Sequence, residues 1–337
     1  MNTQRNRSSG RPTLDQVASR AGVGRGTVSR VVNGSAQVSP HARAAVERAI
    51  AELNYAPNRA ARALVTQRTD SIGLVVFESG ERFFGEPFFG RIVQAVSSVL
   101  VGRDRQMVLM IAQSPQERQR LEGYLTRQHV DGALLLSLHG NDPLPAILER
   151  RGVPTVQAGR PTYGGSHCFV DADNRGGARA AVGYLRDRGR RRIATITGPL
   201  DMAAGIGRLD GYRDVAGAGT VVVGDFSEES GAAGMHRLLA QAPDVDAVFA
   251  ASDMMAAGAM RVMREQGLRA PEDIAVVGFD DSVIARHTDP PLTTVHQPVE
   301  RMGQEMVRLL LAKIAGDDPA DDDGVVLETR LVIRDSA

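Results

Sequence analysis

The 337-residue sequence has few residues of several kinds, and each shortage excludes a class of protein. Its single cysteine, Cys168, cannot form an internal disulfide, so we expect a reducing, cytoplasmic compartment. Apolar runs such as Gly132–Ser137 and Ile274–Phe279 are much shorter than the ~20 residues of a membrane helix, so we expect no membrane partner. The polar start of the chain lacks the apolar segment of a secretory signal. Tryptophan is absent and aromatic residues make up 4%, so few rings are available to stack on a ligand.

Motifs of common enzymes and metal sites are also missing from the sequence. It contains no GxxxxGK[S/T] phosphate loop and no GxSxG nucleophile elbow. The glycines of Gly22–Gly26 follow no strand, which argues against a dinucleotide loop. The seven histidines occur singly, and the acidic segment Asp317–Asp323 lacks the ligand spacing of a calcium loop. We therefore predict no catalytic residues, no metal and no cofactor.

The charge of the chain is divided unevenly between its two parts. Residues 1–68 contain eleven arginines, no lysine and three acidic residues, a net charge of +8, so the remainder of the neutral chain carries −8. A basic segment joined to an acidic body is typical of a module that meets a polyanion. On charge alone, a solvated basic tail stays open as an alternative.

Three short helical patterns fill this basic head. Thr13 is placed to cap a helix over Leu14–Arg20, and Ser39 to cap a helix over Pro40–Leu53. A further helix lies between them, at about Arg25–Asn33. A glycine, which adopts positive φ easily, forms the turn between the first two helices. Two short helices around a tight turn, followed by a third, predict a helix-turn-helix module.

The second helix of such a module carries the residues that meet base edges in the major groove. The predicted contacts on it are Arg25, Gly26, Thr27, Ser29, Arg30 and Asn33. Arg25 can pair with O6 and N7 of a guanine, which is worth about 1–3 kcal/mol of base discrimination. Gly26 leaves space without making a side-chain contact. For Arg30 a base contact and a phosphate contact remain equally open.

From Ser71 onward, apolar strands alternate with helical stretches. Such strands indicate parallel sheets covered on both faces, and nine of them exceed one small doubly wound unit. We therefore predict an α/β fold with a two-lobed body of parallel sheets behind the head. The predicted domains are a head at 1–57, a hinge helix and linker at 58–70, a first lobe at 71–165 with a chain return near 290–337, and a second lobe at 166–288.

Several motifs resemble those of the lactose-repressor (LacI/GalR) family of transcription regulators. In the head they are Thr13–Ala18, Ala21–Val23 and Thr27–Gly34, and Glu52–Leu64 looks like the family's hinge helix. In the body they are Gly198-Pro199, Arg208–Tyr212, Gly278–Asp281 and Pro291–Val295. Within the family, Val23–Thr27 and the phenylalanine-rich stretch Arg82–Phe89 resemble actinobacterial repressors that respond to cellobiose and related glucosides. The resemblance implies a body similar to periplasmic binding proteins.

The resemblance also implies roles in DNA binding. Leu64 matches the hinge-helix leucine that inserts into the minor groove at the operator centre, where an apolar wedge bends the duplex. Packing of Leu64 against its dimer mate stays open as an alternative. Tyr55 and Asn58 match positions that support the hinge and its phosphate contacts. Thr13, Ser39 and Ala61 complete the predicted DNA-binding set.

In the body, the resemblance implies that a small effector binds between the lobes. Arg208 matches an arginine that grips the effector, Asp280 an aspartate that accepts sugar hydroxyls, and Phe226 an aromatic that stacks on a sugar face. The predicted set is completed by Phe88, Phe89, Ser252 and Gln297. A core position for Phe89 is equally open.

Two departures from the family pattern are visible. The segment at residues 214–220 is shorter than the corresponding segment in most members of the family. We therefore expect a shortened helix after Arg208. Residues 331–337 carry no apolar heptad repeat, so we expect a dimer rather than a tetramer.

These observations predict a dimeric, nucleoid-associated repressor of sugar-utilisation genes. Its predicted partners are a palindromic double-stranded operator and a cellobiose-like sugar that releases it. A sugar-binding protein without a regulatory role, an enzyme acting on sugar, and a regulator that uses a corepressor stay open.

Overall fold

A computed structural model describes residues 12–32, 34–56, 68–162, 168–317 and 324–337. The chain divides into two compact units, a head at residues 1–69 and a body at 70–337. This division and the sheets of the body confirm the predicted fold class. Within the described ranges, no helix is both long and apolar enough to cross a membrane.

The head contains the three predicted helices, α1 (Leu14–Ala21), α2 (Arg25–Val32) and α3 (Pro40–Leu53). Each contributes one fully buried valine to a common core: Val17, Val28 and Val46. Because the apolar residues of each short helix recur on one face, the three helices can cover one another in so small a unit.

The first lobe of the body is a sheet of six parallel strands in the order β11-β5-β4-β3-β1-β2. All five residues of its central strand β3 are buried, because helices cover both faces. The elements of this lobe are β1 (Ser71–Val76), α4 (Gly80–Gly85), α5 (Pro87–Val101), β2 (Gln106–Ile111), α6 (Pro115–Thr126), β3 (Gly132–Leu136), α7 (Leu144–Arg150), β4 (Thr155–Ala158), β5 (Phe169–Ala172), α12 (Val299–Ala315) and β11 (Val325–Leu327).

The second lobe is a sheet in the order β12-β10-β9-β8-β6-β7, in which β12 runs antiparallel to β10 and the other pairs are parallel. Its elements are α8 (Asn174–Asp187), β6 (Ile193–Thr197), α9 (Ala203–Ala216), β7 (Val221–Val223), α10 (Glu228–Gln241), β8 (Ala247–Ala250), α11 (Asp253–Glu265), β9 (Ala275–Asp280), a 3₁₀ helix (Val283–Arg286), β10 (Thr293–His296) and β12 (Arg330–Val332).

The chain crosses between the lobes three times, at 172–174, 296–299 and 327–330. The expected lobe boundary at 166 is wrong by a few residues, because β5 still pairs in the first sheet. The expected return near 290 is also too early, since β10 pairs with β9 in the second sheet. A strand pattern predicts a strand but not its sheet, so sequence alone misplaced both boundaries.

Close packing of α8 against α9 depends on a glycine. A Cβ built on Gly211 in α9 would lie 2.2 Å from the carbonyl oxygen of Arg175 in α8, and 2.8 Å from the Cβ of Ala178. Backbone atoms cannot move aside as a flexible side chain can. The two helices therefore approach each other at a distance that only glycine allows.

The variant G211A should lower the free energy of unfolding of the body by about 1–3 kcal/mol, because the added methyl forces the helices apart. The matched control is G183A in α8, where a Cβ meets no atom within 4 Å. This control should gain about 0.5–1 kcal/mol from its better helix propensity. Urea denaturation midpoints of both variants measure the difference, and equal midpoints would contradict the packing argument.

Candidate functional site

The first helix of the head is fixed at both ends by local hydrogen bonds. The Thr13 hydroxyl accepts a hydrogen bond from the backbone N–H of Gln16 at 3.3 Å, and the Gln16 side chain accepts one from the Thr13 N–H at 2.8 Å. At the other end, Gly22 has φ +67° and its N–H bonds to the last turn. This left-handed residue turns the chain directly into α2.

The predicted base-contacting residues lie at the N-terminal end of α2 and along it. Arg25, Gly26 and Arg30 are exposed, while Thr27 and Ser29 are half-buried. The Arg25 Nε lies 3.6 Å from the Asp15 carboxylate, and both side chains are largely exposed. An ion pair in water is weak, so Arg25 can exchange it for a contact with DNA.

The remaining predicted DNA-binding residues have different surroundings. The Ser39 hydroxyl caps α3 by accepting the Ala42 N–H at 3.3 Å. Tyr55 is only 9% exposed and packs in the core of the head. The residues that lie outside the described ranges are Asn33, Asn58, Ala61 and Leu64.

In the body, a cavity of about 360 Å³ lies between the two lobes. It forms where the carboxyl ends of the parallel strands of both sheets face each other, which is where open α/β folds bind ligands. All seven predicted effector-binding residues border it: Phe88, Phe89, Arg208, Phe226, Ser252, Asp280 and Gln297.

Arg208, in the second turn of α9, is buried to 3% exposure and is held by four hydrogen bonds. Its Nε donates to Asn174 at 2.8 Å, Nη1 to the Ala251 carbonyl at 2.5 Å and to Asp280 at 3.2 Å, and Nη2 to Gln297 at 3.0 Å. A guanidinium has five N–H donors, so these four hydrogen bonds leave one donor over, on a residue that borders the cavity. Its Cζ also lies 3.7 Å from the ring centre of Phe279.

Two carboxyl groups lie beside this cation, the fully buried Asp253 and the half-buried Asp280. Burial raises the pKa of Asp280, and the charge of Arg208 opposes that rise. Behind it, burial and repulsion by Asp280 raise the pKa of Asp253. Asp253 accepts hydrogen bonds from the Ser282 N–H and the Thr294 hydroxyl. The cavity wall of the second lobe is therefore a charged network that Arg208 balances.

The aromatic residues occupy different depths of the cavity wall. Phe89 is 1% exposed and belongs to the core of the first lobe, although it borders the cavity. Phe88 beside it is half-buried. Phe226 is held from behind, since the Ser252 hydroxyl donates to its carbonyl at 3.2 Å. That hydroxyl also accepts the N–H of Met255, so Ser252 positions its neighbours more than it faces a ligand.

Three residues of the cavity wall have positive φ without being glycine: Ser137 at +55°, Phe226 at +74° and Asp280 at +115°. Bulky residues rarely adopt this region, because the Cβ crowds the backbone. Strain of this kind persists where the surrounding structure fixes it, often at binding sites.

Sequence comparison assigns this chain to a family. Residues 13–58 match the family described as bacterial regulatory proteins, lacI family, and residues 182–337 match a periplasmic binding protein-like domain. The HTH-type transcriptional regulator CelR of Thermobifida fusca is 55% identical over 335 residues, covering 97% of this chain and 98% of its own. The chain belongs to the LacI family of bacterial regulatory proteins.

Other relatives of this LacI-family regulator agree with the assignment. The ribose operon repressor of Escherichia coli K12 is 37% identical over 90% of this chain and 93% of its own. The solved transcriptional regulator CelR–cellobiose complex is 53% identical, with a TM-score of 0.77 over 97% of this chain and 100% of that one. The lac repressor dimer bound to operator and the anti-inducer ONPF gives 29% identity and a TM-score of 0.86 over 97% and 99%.

Polar residues of this regulator that sequence reasoning missed also border the cavity. Glu86 lies at the start of α5, and burial raises its pKa to about 7 against the opposing charge of Arg82. Asp171 and Asn174 flank the end of β5, and Asn174 donates to Asp171 at 3.0 Å while holding Arg208. Polar residues at the carboxyl end of a predicted strand can be recognised as site candidates from sequence. Asp171 and Asn174 were missed because the four-residue strand β5 was not among the predicted strands.

The expected shortening of the helix after Arg208 leaves most of that helix intact. Helix α9 continues to Ala216, two turns beyond Arg208, and ends at Gly217 with φ +68°. Near its end, Asp214 forms a two-point ion pair with Arg175 of α8, at 2.7 and 2.8 Å. The short segment therefore affects the loop to β7 and not the turn that carries Arg208.

Replacing Arg208 by alanine should lower the free energy of unfolding of the body by about 3–5 kcal/mol, because it empties a buried position and leaves the half-buried Asp280 without its cation. The matched control is R175A, which removes an arginine from the surface ion pair with Asp214 and should change stability little. Chemical denaturation of the two variants at pH 7 makes the comparison. A loss in R208A no larger than in R175A would show that the network does not depend on Arg208.

Proposed function

We propose that this regulator is a homodimeric transcriptional repressor that acts on the nucleoid in the cytoplasm. In this proposal it binds a palindromic operator through its basic head and is released when cellobiose or a related glucoside occupies the inter-lobe cavity. The identity to CelR over nearly the whole chain, and the likeness to the CelR–cellobiose complex, support the choice of sugar. The lac repressor dimer on its operator supports the dimer and the DNA partner.

The observation that carries the proposal is the charge pairing of the cavity wall. Each arginine that borders the cavity in the described chain has a carboxylate partner: Arg82 with Glu86 at 2.5 Å, Arg91 with Glu300 at 2.9 Å, Arg160 with Asp171 at 3.1 Å, and Arg208 with Asp280 at 3.2 Å. A phosphate ester requires cations that are not already neutralised. Paired guanidinium and carboxylate groups instead offer adjacent donors and acceptors, which suits the hydroxyl groups of an uncharged sugar.

Aromatic faces supply the second element of sugar recognition. Phe226 and Phe88 border the cavity from the second and first lobes respectively. An apolar ring face packs well against the C–H face of a glucose unit, while the polar network binds its hydroxyl edge. A sugar held this way contacts both lobes at once and so favours one arrangement of them.

Release from DNA follows from linkage between the two sites. A ligand shifts an equilibrium only by its preference for one state, and a shift from 99:1 to 1:99 needs roughly 5.5 kcal/mol of differential affinity. In the proposal, the paired hinge helices form on the operator and Leu64 of each chain inserts into the minor groove. A short helix is marginal without partners, so moving the two first lobes apart would melt it.

Cellobiose titrated into the full-length protein should bind, and should weaken its complex with an operator selected from random duplex DNA. The variant R208K keeps the charge but loses the planar fork, so its affinity for cellobiose should fall at least about tenfold. Its DNA affinity without sugar should stay within about threefold. Calorimetry and fluorescence anisotropy measure the two affinities, and R175K is the control. Unchanged binding of cellobiose by R208K, or tighter DNA binding with cellobiose, would overturn the proposal.

Replacing Arg25 by alanine should cost about 1–3 kcal/mol on the selected operator and much less on unrelated duplex DNA, because a base contact acts only at its own base pair. Arg48 is an exposed arginine on α3, outside the second helix, and R48A is the matched control. Affinities measured across a range of salt concentrations separate the two roles, since a phosphate contact lowers the salt slope on every sequence. An equal loss on both duplexes would assign Arg25 to the phosphates.

A further inference from the structure

A histidine outside the predicted site joins the two lobes at the edge of the cavity. His139 lies in the turn after β3, in the first lobe. Its Nδ1 lies 3.0 Å from the carboxylate of Asp201, which follows β6 in the second lobe. Its Nε2 lies 3.3 Å from the carboxylate of Glu78, which follows β1 in the first lobe. The backbone repeats this contact, because the N–H of Gly140 donates to the carbonyl of Asp201 at 2.8 Å.

The chemistry of the two partners fixes the state of the ring. An ionised carboxylate only accepts hydrogen bonds, and neutral imidazole carries a single N–H. A neutral ring can therefore bond to Glu78 or to Asp201, but not to both. The imidazolium form donates at both nitrogens and satisfies both contacts. The hydrogen bond to Glu78 and, after it, the one to Asp201 raise the pKa of His139 despite partial burial.

The arginines near His139 pair with carboxylates of the first lobe and do not link that lobe to Asp201. Glu78 also accepts from Arg82 at 2.9 Å, and Arg82 is further paired with Glu86. On the other side of the turn, Asp142 is paired with Arg118. His139 is thus the cation that links this carboxylate cluster of the first lobe to Asp201 of the second.

The same two loops form part of the cavity wall. Gly140 borders the cavity and accepts a hydrogen bond from the Thr162 hydroxyl at 3.0 Å. On the opposite side, Met202 and Ala203, directly after Asp201, border it as well. A ligand that contacts both loops draws together the residues that His139 bridges.

We propose that protonated His139 is a latch between Glu78 and Asp201 that holds the lobes together over the bound effector. His139 is a positioning residue, since it borders the loops and not the ligand. The proposal rests on the proposed function only for the identity of the effector. Because closure favours the protonated ring, effector binding takes up protons. Affinity is therefore highest at low pH and falls as pH rises through the raised pKa of the His139 ring.

Glu86 titrates in the same pH range within the cavity wall, so the pH profile of the wild type alone does not assign the effect. The variant D201N removes the partner in the second lobe and leaves both His139 and Glu86 in place. The variant H139Q removes the charge. Their matched controls are D244N, an exposed aspartate of the second lobe, and H236Q, an exposed histidine on α10.

Calorimetry of cellobiose binding in phosphate and in Tris at pH 7.5 gives the number of protons taken up. The wild type and both controls should take up a fraction of a proton, and D201N and H139Q should take up less. The double variant H139Q/D201N should lose no more of the proton uptake than either single variant, because both substitutions remove the same interaction. The difference between the wild type and D201N isolates His139 from Glu86, and equal proton uptake in the two proteins would overturn the latch.

A second measurement does not require that cellobiose binds. The ring titration of His139, followed by NMR in full-length protein with labelled histidine, should have a lower midpoint in D201N than in the wild type. Equal midpoints would overturn the latch whatever the effector is. Failure of the wild type to bind cellobiose, with the midpoint shift present, would instead contradict only the proposed function.

Discussion

The body depends on one buried cation. Removing a guanidinium from water is unfavourable unless its donors and its charge are satisfied, and Arg208 meets both requirements with groups from four segments. Asn174 begins α8, Ala251 follows β8, Asp280 ends β9, and Gln297 lies in the crossing between β10 and α12. A single side chain thus ties the core of the second lobe to two of the three crossings.

Removing charged groups from water costs free energy, and this cost explains the states of the carboxyl groups around Arg208. Burial and repulsion by Asp280 raise the pKa of Asp253 to about 8, so Asp253 is mostly uncharged at neutral pH and Arg208 balances chiefly the charge of Asp280. Beside this network, Asp280 and Phe226 have positive φ, a conformation that costs free energy in residues other than glycine. The residues of this network are costly to bury, and they hold oriented hydrogen-bond donors and acceptors at the cavity wall without a ligand. The side chains that border the cavity therefore also contribute to the stability of the body, so a substitution among them acts on both stability and recognition.

Sequence reasoning reached the local features and missed those that depend on tertiary pairing. The caps at Thr13 and Ser39 were predictable because a hydroxyl acts on its own helix within three residues. The nine predicted strands do not include β5, β11 and β12, which have three or four residues each and lie next to the crossings between the lobes. The seven residues placed at the cavity came from family resemblance. His139 had no such signal, because Asp201 lies 62 residues further along the chain and only the meeting of two loops gives the ring its second partner.

The division of charge gives the head and the body opposite relations to DNA. A head of +8 is attracted to a duplex, and a body of −8 is repelled by the same phosphates. Repulsion of the body opposes contacts that do not use the head, so the charge pattern itself selects the face that approaches DNA. It also separates the two binding sites in their chemistry. The head carries an excess of positive charge, so its contacts with DNA are sensitive to salt, whereas each arginine of the described cavity wall has a carboxylate partner. Ionic strength therefore acts on the head far more than on the cavity.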